Sequence, residues 1–395
     1  MKSLFTVITP LLVASFFTNA LCVYAQEKDT VQPEKYIFTE AVRLKTTPVK
    51  DQYASGTCWS YAATSFIESE LMRITGDTLD LSEMFFVRKC YEQKARDFVR
   101  RHGTTNFSQG GQAHDVMNTV AASGLMTEAG YPGLANGQTK PMHSEMEAVL
   151  KGMLDALVKN PNGKLSPDWF NAISAVLDVY LGPLPATGSP VKGAKKINPA
   201  DYIELTSYTH HPFYQPFILE IPDNWSSGAY YNVPIDDLIA TLNHALKNGY
   251  TVVWDGDVSD KGFSHKNGVA IVPDVKLESA SNTERSKWEN IPEKERQKQF
   301  YSFDKPVPQK AVTQEMRQAA FDNFSATDDH LMHITGITRD QDSTVYYITK
   351  NSWAADSNES GGYLNMSEAY VRLNTIAIMV HKDAVPKEIK KKLGF

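Results

Sequence analysis

The sequence predicts an α+β protein with two lobes, one mainly helical and one built on an antiparallel sheet, carrying a large, partly helical insertion. Apolar residues recur at helical spacing from Trp59 through Ile67, which predicts a helix that begins at Cys58. Two later segments, Leu331–Ile337 and Tyr346–Lys350, have the pattern of strands. Because the chemistry-bearing residues of these segments lie in opposite halves of the chain, we expect them to meet in a cleft between the lobes.

Cys58 is a candidate nucleophile. A thiol reacts as the thiolate, and a position at a helix N-terminus lowers the pKa of a cysteine through the unpaired N–H groups and the helix dipole. Gln52 lies six residues earlier. Its amide, together with the Cys58 backbone N–H, can hold the oxyanion of a tetrahedral intermediate.

Two segments near the end of the chain offer an imidazole and an amide. His333 lies in Leu331-Met-His-Ile-Thr-Gly-Ile337, and Asn351 ends the strand that begins Tyr346-Tyr-Ile-Thr-Lys. Trp353 follows within Asn-Ser-Trp. The order Gln, Cys, His, Asn resembles that of the papain-like cysteine peptidases.

The resemblance implies a role for each of these residues. Gln52 is the expected oxyanion donor, Cys58 the nucleophile, His333 the base and Asn351 the group that orients the imidazole, while Trp353 shields the hydrogen bond between them. His330 is an alternative base, because it also precedes the strand. We favour His333 because the family's histidine heads the apolar strand that runs into Gly336.

The middle of the chain resembles the bleomycin hydrolase and aminopeptidase C branch of the family. The segments Tyr230–Asp237 and Trp254–Asp257 carry that resemblance, and residues of about 140–310 form the expected insertion. Helical patterns occupy its first part, and its Lys/Glu-rich stretch through Gln299 is expected to be loop. Branch members are mostly cytoplasmic homohexamers with aminopeptidase activity, so a homohexamer is possible here.

The pair Gly110-Gly111 is a candidate substrate-binding segment. Adjacent glycines let a backbone lie against a substrate backbone with no side chain between them, although such a pair can also be a simple turn. Its place after the nucleophile helix matches the family's substrate-binding glycine pair.

The first 25 residues have the layout of a secretory signal peptide. Lys2 precedes an apolar run from Leu4 to Phe17, and Val23-Tyr-Ala25 is a small-residue cleavage site. We expect residues 26–395 to form the peptidase domain, with a secreted or periplasmic location and no membrane span. Loss of Lys2 changes the formal charge from −6 to −7, and this acidic balance disfavours general nucleic-acid binding.

No metal or other cofactor is expected. His210-His211 and Asp328-Asp329-His330 lack the spacing of a typical ligand set. Of the mature cysteines, Cys58 and Cys90, the first is the expected nucleophile, so no intramolecular disulfide is predicted. The papain pattern has a cysteine where Ser55 stands, so the bridge usual in the family is also absent.

These observations predict an exported cysteine peptidase that acts on peptides and is aminopeptidase-like. The alternatives are a Cys-His-Asn amidase or acyl transferase and an inactive peptide-binding homologue. In the branch that the chain resembles, a C-terminal arm meets the free amine of the substrate. Here Leu393-Gly-Phe395 follows the segment before that arm, so we expect a more open cleft and possible endopeptidase activity.

Overall fold

A computed structural model describes residues 35–160, 162–185 and 191–395. The expected signal peptide, residues 1–25, lies outside the described residues. The α-helices are α1 Cys58–Thr75, α2 Glu83–Arg100, α3 Ala113–Ser123, α4 Ser144–Val158, α5 Trp169–Leu181, α6 Ile235–Lys247, α7 Asn282–Trp288, α8 Glu293–Phe300, α9 Gln314–Asp322, α10 Glu368–Asn374 and α11 Lys387–Leu393. Single 3₁₀ turns occupy Glu128–Gly130, Ala194–Lys196, Pro199–Asp201 and Lys382–Ala384.

The strands of the described chain join in one sheet. They are β1 Thr39–Arg43, β2 Tyr202–Thr206, β3 Pro216–Ile218, β4 Ala229–Asn232, β5 Val252–Gly256, β6 Phe263–Ser264, β7 Val269–Ala270, β8 His330–Arg339, β9 Val345–Lys350, β10 Tyr363–Ser367 and β11 Thr375–His381. Their order is β3-β4-β2-β11-β5-β8-β9-β10-β7-β6, with β1 also paired to β8. All pairs are antiparallel except β2 with β4 and β7 with β10.

The two-lobed α+β prediction is confirmed by this arrangement. One apolar core joins α1 to the helices that follow it, and a second lies on the other face of the sheet around α6. Strand β5, from the stretch predicted to be an insertion, lies between β8 and β11. That stretch therefore supplies a central strand of the sheet that carries the histidines.

Helix α1 lies between the helical core and β8. Its first fourteen residues, Cys58 to Leu71, are all buried. It ends at Thr75, and the next residue, Gly76, has a left-handed φ of 77°, which favours glycine. Burial on all sides fixes the position of the helix N-terminus against the end of β8.

The Lys/Glu-rich stretch was expected to be loop, and this expectation is wrong. It forms α7 and α8, with a capping box between Ser281 and Glu284 at the start of α7. Each helix ends on a buried aromatic residue, and the rings of Trp288 and Phe300 pack edge to face with centroids 4.7 Å apart. Two apolar anchors therefore hold helices whose other side chains are mostly charged.

Candidate active site

Cys58 is the first residue of α1, as the sequence predicts. Its side chain is 8% exposed, and the Leu331 backbone N–H donates a hydrogen bond to the thiol. Burial raises the pKa of Cys58 to about 12, against the lowering effect of that hydrogen bond, and the charges of Asp328, Asp255 and Asp223 raise it further. The helix N-terminus alone therefore does not produce the lowered pKa that the sequence predicts.

Gln52 is held on both sides of its amide. Nε2 donates to the Ser55 carbonyl at 2.7 Å, and Oε1 accepts from the Ser352 hydroxyl at 2.6 Å. The Gln52 backbone N–H also donates to the Ser352 carbonyl at 2.8 Å. Ser352 thus joins the strand that ends at Asn351 to the loop before Cys58 and fixes which end of the Gln52 amide is the donor.

The expected pairing of His333 with Asn351 is wrong. His330 makes that contact, with Nε2 lying 2.7 Å from Asn351 Oδ1. Asn351 Nδ2 lies 3.2 Å from His265 Nδ1, and the Ser352 backbone N–H donates to Oδ1 at 2.7 Å. These contacts define Oδ1 as an acceptor, so His330 carries its proton on Nε2 and leaves Nδ1 as the basic nitrogen.

His333 lies on the opposite face of the same strand. Its Nδ1 is 2.9 Å from the Ser65 hydroxyl in the middle of α1, and its ring packs edge to face on Phe66. Residues three apart on a strand point to opposite faces, so His330 and His333 cannot both reach Asn351. The position of His333 just before Gly336 predicted it as the partner of Asn351. The alternation of side chains along the strand instead places His330 beside Asn351.

Aromatic rings cover the hydrogen bond between His330 and Asn351. The Trp353 ring centroid lies 4.9 Å from that of His330 and 4.9 Å from that of His265. His265 Nε2 in turn lies 2.7 Å from the Ser357 hydroxyl. No motif in the sequence indicated His265, because this residue lies in a short connection between two strands, far from the recognised motifs.

Gly110 and Gly111 lie beside the nucleophile helix. A Cβ built on Gly110 would overlap the carboxylate of Asp223, and one on Gly111 would lie 3.0 Å from the Trp59 ring. The Trp59 indole N–H donates to the Gln109 carbonyl at 2.9 Å, which ties this segment to α1. Close packing on both residues accounts for the absence of side chains here.

Burial disfavours charge on the imidazole as well as on the thiol. It lowers the pKa of His330 to about 4, against the raising effect of the hydrogen bond to Asn351. Burial also lowers the pKa of His265. Before substrate binds, the cysteine and histidine therefore favour their neutral forms.

A separate group of potential ligands lies away from these residues. His210, His211 and Glu220 place one ligand atom each within 4.8 Å of one another. Both imidazoles already contact the Glu220 carboxylate, at 3.2 and 2.9 Å. Among the described helices, none combines the length and apolar character needed to cross a membrane.

The chain matches two peptidase family models. Residues 33–162 match the papain family cysteine protease model, and residues 297–394 match the Peptidase C1-like family. The chain belongs to the papain-like cysteine peptidases. The two matches contain the segments that carry Gln52 and Cys58 and those that carry His330 and Asn351.

Similar proteins extend the match across most of this peptidase. Aminopeptidase G of Lactobacillus delbrueckii subsp. lactis is 21% identical over 90% of the chain and 85% of its own length. Aminopeptidase C of the same organism is 21% identical over 89% of the chain and 83% of its own length. The crystal structure of PepW from Lactobacillus rhamnosis is 16% identical, covers 90% of this chain and 84% of that one, and superposes with a TM-score of 0.69. The fold is therefore shared with that protein.

Proposed function

We propose that this cysteine peptidase cleaves peptide bonds through a thiolate of Cys58, with His330 as the base and Asn351 as the residue that orients the imidazole. The observation that carries the proposal is the contact of His330 Nε2 with Asn351 beside a thiol that accepts from the next residue, Leu331. This assignment replaces His333, whose ring is turned toward Ser65.

The proposed proton path follows from the tautomer of His330. With a proton on Nε2, the free Nδ1 takes the thiol proton of Cys58 as the sulfur attacks the peptide carbonyl. The developing oxyanion accepts from Gln52 Nε2 and the Cys58 backbone N–H. The imidazolium then protonates the leaving amine, and water attacks the thioester to release the acyl product.

The ion pair between the Cys58 thiolate and the His330 imidazolium is not favoured by the pKa of either group alone. Burial favours the neutral thiol and the neutral imidazole. Adjacent opposite charges stabilise each other in a poorly solvated site. The N-terminus of α1 and the Leu331 N–H also favour the thiolate. We therefore expect the ion pair to form chiefly when substrate is bound and water is displaced.

Turnover of a fluorogenic peptide by variants of the two mature cysteines tests this mechanism. Cys58→Ala should abolish hydrolysis, whereas Cys90→Ala should retain it, because Cys90 lies within α2 against the Asp115 carbonyl. Gln52→Ala should lower kcat about 10²-fold or more through loss of one oxyanion donor. Hydrolysis by Cys58→Ala at the wild-type rate would exclude the mechanism.

We further propose that the enzyme is aminopeptidase-like. Support comes from the similarity to aminopeptidases G and C over about nine-tenths of the chain. Comparison of a free-amine peptide with its N-acetylated form tests this specificity, because an aminopeptidase cleaves only the first. Efficient cleavage of both would indicate an added endopeptidase activity.

Export is a proposal that rests on the pattern of residues 1–25. Intact-mass measurement of the protein from the native cell should give a chain that begins near Gln26. A homohexamer, implied by the branch resemblance, is tested by light scattering of the purified protein. A full-length N-terminus or a monomer would contradict the respective proposal.

A further inference from the structure

The charges of three carboxylates act on Cys58, and one of the three, Asp223, lies against Gly110. Asp223, Asp255 and Asp328 each raise the pKa of the Cys58 thiol, and the charges of Asp223 and Asp328 also raise that of Asp255. None of the three forms an ion pair with a described basic side chain. We call Asp223, Asp255 and Asp328 the acidic pocket.

Asp255 is at the base of this pocket. It pairs across the sheet with Leu331, so both side chains lie on the face that packs against α1. The residue is 3% exposed, and apart from the neighbouring Asp328 carboxyl its oxygens have no hydrogen-bond partner among the described residues. Burial and the adjacent Asp328 carboxyl raise the pKa of Asp255 well above its usual range, so the two carboxyls share a proton and the pair keeps one negative charge. A buried charge without a counter-ion is costly, so this pair calls for a cation supplied from outside.

Two further buried groups near Asp328 lack partners. Gln112 donates from Nε2 to Asp328 Oδ2 at 2.9 Å, while its Oε1 is buried and unpaired within the described chain. The Tyr230 hydroxyl is buried and likewise unpaired, and the charges of Asp255 and Asp328 both act on it. Apart from this hydroxyl and the proton shared by the two carboxyls, the free atoms are all acceptors.

The buried cation of this region is already engaged. Lys94 donates to the carbonyls of Ser108 and Gly110, behind the predicted substrate-binding segment. His114 contacts Glu204, with Nδ1 and Oε2 2.6 Å apart. A group that suits the remaining acceptors is one that only donates, as an ammonium or guanidinium group does.

We propose that the acidic pocket binds a cationic group of the peptide substrate, on the acyl side of the bond that Cys58 cleaves. The proposal rests on the proposed function, since it assumes that Gly110-Gly111 and Cys58 bind the same substrate. The cation is either the free α-amine or a basic side chain. Both present the same donors, so the experiment must separate them.

Two matched pairs of fluorogenic amides separate the sources of the cation. The first pair is alanyl-coumarylamide and its N-acetyl form, and the second is N-acetyl-lysyl-alanyl and N-acetyl-norleucyl-alanyl coumarylamide. We expect the wild type to prefer the cationic member of one pair. Asp255→Asn and Asp328→Asn should each reduce that preference about 10-fold or more, mainly through KM, as expected for a lost charge-assisted hydrogen bond.

Asp304→Asn is the control, because it makes the same charge change at an exposed position and should leave the preference unchanged. Equal loss of cationic and neutral turnover in both pocket variants would overturn the proposal. So would a wild type with no preference in either pair. Thermal unfolding of each variant identifies misfolding. Because Asp255→Asn and Asp328→Asn are expected to reduce the same preference, a result from one can be verified with the other.

Binding to Cys58→Ala protein tests the pocket without turnover. Calorimetry with alaninamide, N-acetyl-lysine amide and the neutral N-acetyl-alaninamide should show tighter binding of one cationic ligand, lost with an added Asp255→Asn change. Equal binding of all three would exclude the pocket even if the mechanism holds. Cation-selective binding combined with a wild-type protein that shows no peptidase activity would instead contradict the mechanism alone.

Discussion

His330 Nε2 lies 2.7 Å from Asn351 Oδ1, and this contact joins the first residue of β8 to the residue that follows β9. The two strands pair antiparallel, with His333 opposite Lys350. The same register that brings His330 beside Asn351 directs His333 into the interface with α1. A single pairing therefore distinguishes the two histidines.

The roles of these histidines should separate in activity. His330→Gln should lower kcat by about 10²- to 10⁴-fold through loss of the base. His333→Gln should keep turnover within a few-fold of wild type and lower the free energy of unfolding by about 1–3 kcal/mol through loss of a buried hydrogen bond. Steady-state kinetics and urea unfolding measure both. A large kcat loss confined to His333→Gln would contradict the assignment.

The contribution of His333 to stability should depend on pH. Burial and the charge of Lys350 hold its pKa well below 6.5 in the folded protein, so the unfolded chain binds the proton more readily. The stabilising effect is therefore present above pH 6.5 and is lost as pH falls, by at most about 1.4 kcal/mol per pH unit.

The difference in unfolding free energy between wild type and His333→Gln should thus shrink as the pH is lowered from 7.5 to 5, by about 1 kcal/mol per pH unit or less. Because the variant keeps the other titrating groups near the site, including Glu68 and Lys350, their contributions to the pH dependence of the unfolding free energy largely cancel in this difference. A constant difference across this range would mean that folding does not lower the pKa of His333.

Removal of a pocket charge should make Cys58 more reactive in the absence of substrate. Burial dominates the raised pKa of the thiol, and Asp328 is the largest of the charges that add to it. Asp328→Asn should lower this pKa, so iodoacetamide should label Cys58 faster at any pH below it. The rate measured from pH 7 to 10 tests this, with Asp304→Asn as the control. Slower labelling would contradict the effect of Asp328.

Ala354→Gly should stabilise the protein. Ala354 has a φ of 66° in the turn after Trp353, a left-handed conformation that costs a non-glycine residue about 1–2 kcal/mol. Part of the gain is offset by the greater freedom of glycine in the unfolded chain, so we expect about 0.5–1 kcal/mol. Thermal and urea unfolding measure this change. Destabilisation would mean that the alanine methyl makes a compensating contact.

Much of the fold and part of the candidate site were predictable from the sequence, because local patterns carry that information. The apolar spacing after Cys58 predicts α1, and the alternating segments predict β8 and β9, all of which the structure contains. The short spacing between Gln52 and Cys58 places both residues near the N-terminus of α1. These features depend on residues close together in the chain, so no tertiary information is needed.

The tertiary structure alone decided which histidine meets Asn351 and which carboxylates surround Cys58. His330 and His333 are three residues apart, and only the pairing of β8 with its neighbours shows which face each occupies. Asp223, Asp255 and Asp328 come from three separate segments of the chain. Their proximity depends on long-range strand order and helix packing, and burial in that packing shifts the pKa values of the groups that they surround.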